Sequence, residues 1–153
     1  MKKWNTARAV LAGVLIAATL PAMAAAAPSP EKAIKARQSA FFLMGQQMGT
    51  ISATVKGNLP FDKPSLQASA ELLELLSRVA VQNFPAGSDE GMTKAKPEIW
   101  KDTGRFRQLA DEMTGETVKL RAAINTGDIA QIKAAYGNTS HSCKSCHEAF
   151  KQH

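Results

Sequence analysis

Four segments of this chain repeat apolar residues at three- and four-residue steps, and no segment alternates apolar and polar residues as a strand would. The first segment begins at Ser29-Pro30-Glu31 and ends at Gly57, and both are typical helix ends. The others run from about Asp62 to Gln82, from about Asp102 to Asn125 and from about Asp128 to the chain end. Four amphipathic helices with short connections predict an all-α fold, an antiparallel up-down-up-down four-helix bundle.

Smaller signals predict how these helices begin and where they deviate. Ser29 is expected to cap the first helix and Asp128 the fourth. Pro97-Glu98-Ile99-Trp100 predicts a short turn of helix before the third long helix, and Gly137 predicts an irregularity inside the fourth. The stripe expected to face the core from the first helix consists of Ile34, Arg37, Phe41, Met44, Met48, Ile51 and Val55.

The first 24 residues have the three parts of a secretory signal peptide. A cationic start precedes the apolar stretch Ala9–Leu20, and Pro21-Ala22-Met23-Ala24 offers a cleavage site. A membrane anchor is the alternative, but the apolar stretch has 12 residues, whereas a bilayer span needs ~20. We therefore expect residues 1–24 to be removed on export to the periplasm, which leaves residues 25–153 as a single bundle domain without a membrane span.

Cleavage would also remove half of the apparent basicity. The whole chain has 19 Lys and Arg residues against 13 acidic ones, for a net charge of +6. The signal segment carries Lys2, Lys3 and Arg8 and no acidic residue, so the mature chain keeps 16 cations against 13 acids, a net charge of +3. This charge gives little reason to expect a nucleic-acid partner.

The only two cysteines of the chain lie in Cys143-Lys144-Ser145-Cys146-His147, on the last predicted helix. On a helix, residues three and four positions apart share a face, so both thiols and the imidazole point the same way. This motif is typical of covalent haem attachment. The two thiols add to the vinyl groups on one porphyrin edge, and the histidine that follows reaches the iron.

Three other chemistries use cysteine pairs. A disulfide closing so short a loop would constrain the unfolded chain very little. A thioredoxin-like pair belongs in a strand-to-helix context that an all-helical chain lacks, and a zinc site would need His141 and His153 as further ligands. We therefore predict one haem c, bound covalently through Cys143 and Cys146, with His147 as the iron ligand.

From about Pro30 to Lys151 the chain resembles cytochrome c′, the class II cytochromes c. The attachment motif near the C-terminus is the most specific shared feature, since class I cytochromes c carry theirs near the N-terminus. The other shared motifs are Arg37-Gln38-Ser39-Ala40-Phe41, Lys56-Gly57 with Pro60-Phe61-Asp62, Phe84-Pro85-Ala86-Gly87, and Lys96-Pro97-Glu98-Ile99-Trp100. The resemblance implies a homodimeric bundle in which His147 is the only protein ligand to iron and the opposite haem face is open to NO or CO.

The resemblance also implies further haem contacts. Arg37 and Gln38 correspond to residues beside the propionates, Phe41 to the apolar residue that covers the distal face, and Lys94 to a loop contact whose identity varies. Many members have Arg where this chain has Lys151, which offers a point charge in place of a planar fork. By its position on a core-facing stripe, Arg37 needs a partner such as a propionate, unless it reaches solvent at the bundle end.

These residues predict a periplasmic haem protein with five-coordinate, high-spin iron that binds NO or CO and can accept an electron from a redox partner. The alternative is a low-spin electron carrier in which Met44 or Met48 gives a thioether to iron; Phe41, which cannot ligate, argues against it. The apolar distal wall offers no general acid or base, so no enzyme activity is expected. The first two helices have more apolar residues than one seam can bury, among them Leu43, Leu72 and Leu75. This excess favours a homodimer.

Overall fold

The computed structural model describes residues 28–152, which form four long helices and one short helix. The short helix, α3, is the turn expected at Pro97–Trp100. The segments predicted from periodicity match the long helices to within a few residues, so the four-helix bundle is confirmed. The signal peptide predicted for residues 1–24 lies outside the described residues. The helices are α1 (Pro30–Val55), α2 (Lys63–Val81), α3 (Glu98–Lys101), α4 (Thr103–Thr126) and α5 (Ile129–Phe150).

Helix ends follow from local residue chemistry. The carboxylate of Asp102 accepts a hydrogen bond from the Arg105 amide (3.0 Å), and that of Asp128 accepts from the Ala130 amide (2.8 Å). Both carboxylates satisfy amides that have no partner within the helix. Gly127 ends α4 in the left-handed conformation (φ 77°), which glycine adopts without a steric penalty.

Two local predictions were wrong. Helix α5 runs through Gly137 without a break, because one glycine weakens a helix by only ~1 kcal/mol and the packed faces on either side hold it. Ser29 lies at the N-cap position of α1, but its hydroxyl donates to the Glu31 carboxylate (3.1 Å) and makes no capping hydrogen bond. The charge-assisted hydrogen bond to the carboxylate fixes the hydroxyl in a position in which no helix amide donates to it.

The core lies along the bundle axis where α1 packs on α2, α2 on α4 and α4 on α5. Every member of the α1 stripe is buried or half-buried, as predicted. Burying a Leu or Ile side chain contributes roughly 1.5–3 kcal/mol. The fully buried Leu and Ile residues of the core therefore contribute most to the bundle's stability. These are Ile51, Leu66, Leu73, Leu120, Ile124 and Ile132.

Contact between α1 and α5 is less extensive than at the other three seams. The loop before α3 contacts the C-terminal end of α5. The Lys96 amide donates to the Phe150 carbonyl (2.9 Å), and the Gln152 amide donates to the Lys94 carbonyl (2.8 Å). These bonds hold the loop beside the attachment motif. No helix within residues 28–152 has both the length and the apolar content needed to cross a bilayer.

Candidate haem site

A cavity of about 570 Å³ opens along the loose α1–α5 seam. Its volume falls in the range of ~300–1,000 Å³ that is typical of small-molecule and cofactor sites. Most of its lining is apolar and comes from α1, α4, α5 and the loop before α3. All seven residues predicted to contact the haem line this one cavity: Arg37, Gln38, Phe41, Lys94, Cys143, Cys146 and His147.

Helix α5 supplies the reactive groups. Cys143, Cys146 and His147 line the same wall, as their spacing on a helix predicts, and both cysteines are free thiols. Burial raises the pKa of the Cys143 thiol, and burial with the neighbouring Cys143 raises the pKa of Cys146 to about 11. Before haem is attached, both thiols are therefore protonated at neutral pH.

His147 is uncharged at neutral pH for a related reason. Burial lowers the pKa of its imidazole, and the positive charge of Lys151 lowers it further. A neutral imidazole is the form that ligates a metal ion. His141, by contrast, is exposed and does not line the cavity, and within residues 28–152 no group of three or more His, Cys, Asp or Glu side chains is arranged to hold a metal ion.

Helix α1 forms the other side of the cavity with apolar groups. Phe41 and Met48 are half-buried and pack against the main core, and Met44 is buried within it. Phe42 is exposed at the cavity edge, and Gly45 follows Phe41 one helical turn later. These residues offer two aromatic rings and two thioethers, and none of them can act as an acid or base.

Arg37 is buried, although it is charged, because the loop between α2 and α3 surrounds it. Its guanidinium donates to the Ser88 hydroxyl (2.7 Å) and carbonyl, the Thr93 hydroxyl (2.7 Å) and the Asn83 carbonyl (3.2 Å). It also lies 4.4 Å from the centroid of the Phe84 ring, a cation–π distance. The alternative in which Arg37 reaches solvent is therefore wrong.

Burial lowers the pKa of the Arg37 guanidinium, and the nearby Asp89 carboxylate opposes that shift. An arginine stays protonated under these conditions, so a full positive charge lies at the cavity wall. Four of its five N–H donors are used by the loop, which leaves Nε–H toward other acceptors. The loop partners are 46 to 56 residues away in sequence, so no local pattern indicated them.

The polar residues Gln38, Lys94 and Lys151 line the cavity and are exposed. Gln38 donates from Nε2 to the Met92 carbonyl (2.8 Å), which attaches the loop to α1. The Lys94 carbonyl accepts a hydrogen bond from the Gln152 amide, which fixes the backbone of Lys94, and Lys151 follows the last turn of α5. Two cationic side chains therefore stand where a ligand's carboxylates could meet them.

An aromatic cluster, three of whose rings line the cavity, was not identified from the sequence. Phe106 lies edge-on to Phe84 (centroids 4.9 Å apart) and to Phe150 (5.5 Å), and Trp100 donates from Nε1 to the Pro85 carbonyl (3.0 Å). These residues come from four separate elements. In the sequence, the aromatic residues of the Phe84-Pro85 and Ile99-Trp100 motifs were a signal for aromatic packing. They did not indicate which rings are in contact.

The donor set fits a haem. Two protonated thiols and a neutral imidazole lie on one wall, which is what thioether formation and iron ligation require. An apolar wall faces them, and cations at the edge suit two propionates. Arg37 Nε, Gln38, Lys94 and Lys151 are the groups that could hold those propionates.

The chain is similar to known proteins along almost all of the described region. The family described as Cytochrome C′ matches residues 32–151. Cytochrome c′ from Rubrivivax gelatinosus is 42% identical over 124 residues, which cover 80% of this chain and 96% of that protein. Its crystal structure has a TM-score of 0.77 to this chain and covers 80% of this chain and 97% of the other.

A second solved structure is the nitric oxide complex of a leucine-to-alanine variant of cytochrome c prime from Alcaligenes xylosoxidans. It is 39% identical to this chain, with a TM-score of 0.76, and covers 81% of this chain and 96% of the other. These similarities agree with the motif, the fold and the cavity. The chain belongs to the cytochrome c′ family and carries one covalent c-type haem, for which Cys143 and Cys146 are present.

Proposed function

We propose that this protein is an exported haem protein that binds NO, and also CO, on the haem face covered by Phe41. The observation that carries the proposal is the makeup of the two cavity walls. The α5 wall offers a neutral imidazole, while the α1 wall presents a ring that cannot ligate iron. A strong protein ligand on one wall and a bulky ring that cannot ligate iron on the other favour five-coordinate, high-spin iron.

Relatives support this function. The structure of the Alcaligenes xylosoxidans variant is described as a nitric oxide complex, and the family consists of haem proteins that are not enzymes. The α1 residues beside Phe41 agree with a binding function, because Phe42, Met44 and Met48 offer no proton donor or acceptor for peroxide chemistry. When bound, the haem supplies the iron at which a diatomic gas binds and an electron can be accepted.

The residues that line the cavity would then have separate roles. His147 holds one face, and Phe41 covers the other by bulk, so a ligand must be small to displace the ring. Arg37, Gln38, Lys94 and Lys151 hold the propionates, with Arg37 acting also on the loop that carries Lys94. Electron exchange with a redox partner protein uses the same haem.

Location and assembly follow from features outside the cavity. Residues 1–24 have the form of a signal peptide, and a covalent haem protein exported in this way belongs in the periplasm. Leu43 on α1 and Leu72 and Leu75 on α2 are all exposed. These are the two helices expected to have more apolar residues than one core can bury. Their exposure supports a homodimer formed through these helices.

An optical spectrum of the oxidised and the dithionite-reduced protein, produced in a host that attaches haem, tests the proposal. We expect a high-spin spectrum, with one broad Soret band and no sharp α and β bands after reduction, and a clear change on adding CO. Acid–acetone extraction should leave the colour with the polypeptide. Replacing Cys143 and Cys146 by alanine should release it.

The second candidate is a low-spin electron carrier with a thioether ligand, and the observation in its favour is that Met44 and Met48 both line the cavity. Sharp low-spin bands in the reduced wild-type protein, abolished by Met44→Leu or Met48→Leu, would establish that reading instead. Unchanged spectra in both variants would exclude it.

A further inference from the structure

Gly45 occupies an unusual position on α1. It lies one turn after Phe41, lines the same cavity and is exposed. A Cβ atom added at this position would have no neighbouring heavy atom within 4 Å. The space beside Phe41 on this side is therefore open.

No feature of the backbone requires a glycine there. Within residues 28–152 the glycines with positive φ are Gly57, Gly87, Gly91 and Gly127, all outside the helices, so Gly45 has an ordinary helical conformation. A glycine inside a helix costs ~1 kcal/mol relative to alanine. The α1 helix accepts that cost at a position where alanine would meet no obstacle, so the missing side chain needs another reason.

The surroundings of Phe41 suggest that reason. The proposed gas-binding face is covered by its ring, so the ring must move when a ligand binds. On one side the ring packs against the close-packed main core, whose buried members include Ala40 and Met44. At Gly45, apart from its two chain neighbours, no side chain lies within 4 Å of an added Cβ.

We propose that Gly45 provides the space into which the Phe41 ring moves when a diatomic gas binds, so that residue 45 sets the gas affinity. The inference rests on the proposed function of gas binding. Gly45 is then a specificity-determining residue that acts through Phe41. A side chain at position 45 confines the ring over the binding face.

Gly49 offers a matched control. It lies one turn further along α1, is exposed, has no neighbour within 4 Å of an added Cβ, and does not line the cavity. We expect Gly45→Val to weaken CO binding to the reduced protein about tenfold, equivalent to ~1.4 kcal/mol, and Gly45→Ala to weaken it by a smaller factor. Gly49→Val and Gly49→Ala should leave CO affinity unchanged. Both alanine variants should raise the unfolding temperature alike.

A double-mutant cycle tests whether the effect passes through the ring. In a Phe41→Ala background, Gly45→Val should no longer weaken CO binding, and a crystal structure of the CO complex should place the wild-type ring over Gly45. Equal CO affinities in the Gly45 and Gly49 variants would overturn the inference. So would a Gly45→Ala spectrum that differs before CO is added, because Gly45 would then make room for the haem itself. Wild-type protein that binds no CO would contradict the proposed function and the inference together.

Discussion

Arg37 is a charged residue on the core-facing stripe of α1 and is only 2% exposed. A buried charge is costly unless hydrogen bonds replace its hydration. Ser88, Thr93 and Asn83 supply four acceptors, and the Phe84 ring covers one face. Arg37 therefore fixes the loop that forms one wall of the cavity, whether or not its Nε also meets a propionate.

Arg37→Ala should lower the free energy of unfolding by about 3 kcal/mol, because it leaves the buried Ser88 groups without their donor. Arg37→Lys should restore little of that loss, since an ammonium cannot reproduce the planar fork. Urea unfolding of the haem-loaded protein, followed by circular dichroism, measures both. Lys35→Ala, at an exposed position of the same helix, serves as the control. Full stability in the lysine variant would show that charge alone suffices.

Phe41→Ala should raise the CO affinity of the reduced protein roughly tenfold, if ~1.4 kcal/mol of crowding is relieved. The physical reason is that the ligand no longer has to displace a packed ring. CO titration of the reduced protein measures the change.

Two neighbouring positions control that experiment. Phe42 lines the cavity edge but is 66% exposed, so Phe42→Ala should alter CO affinity much less. Met44→Leu keeps the core volume and should leave the spectrum unchanged. An unaltered affinity in Phe41→Ala would mean that the ring does not cover the binding face.

At the scale of elements, a cluster of three charged residues joins α2 to α4. Arg78 donates to Glu74 Oε1 (2.9 Å) within α2, and Arg121 Nε of α4 lies 2.6 Å from Glu74 Oε2. The hydrogen bond from Arg78 lowers the pKa of the Glu74 carboxyl most. Burial opposes that shift, and the charges of Arg121 and Arg78 lower the pKa further. The cluster holds these two helices at a fixed offset.

Glu74→Gln should reduce the free energy of unfolding at pH 7 by about 0.5–1 kcal/mol, a modest value because both arginines are partly exposed and screened. Since the folded-state pKa lies below the unfolded value, the stabilisation is present above ~pH 4.3 and is lost as pH falls through the folded pKa. Denaturant unfolding at pH 7 and pH 3 should show the difference from wild type shrinking. Glu71→Gln, at an exposed position on α2, should have little effect at either pH.

At the scale of the whole molecule, α1 and α2 leave an apolar surface uncovered. Leu72, Leu75 and Val79 recur on one face of α2, and Phe42 and Leu43 are exposed on α1. Because α1 and α2 pack side by side, a symmetric contact between two copies would bury this surface on both.

Leu75→Glu should convert the protein from dimer to monomer, because the substitution places a desolvated charge in the contact. Light scattering at tens of micromolar protein measures the mass. Met92→Glu, at an exposed position in the loop before α3, should leave the dimer intact. Wild-type protein that returns the monomer mass at this concentration would contradict the dimer.

The sequence alone was sufficient where structure depends on near neighbours along the chain. Helix ends at Gly57 and Asp128 depend on one residue and the next turn, and the Cys143–His147 motif needs only helical spacing to bring three donors to one face. The stripe of α1 follows from a 3.6-residue period. Fold class and attachment chemistry could be predicted for that reason.

Tertiary structure decided whatever depends on residues far apart in sequence. The acceptors around Arg37 come from a loop 46 to 56 residues away, and the Phe84–Phe106–Phe150 cluster joins separate elements. The open space at Gly45 exists because the α1–α5 seam stays loose. Periodicity gives the direction in which a side chain points. What it meets there depends on how the helices pack, and only the folded chain brings those partners together.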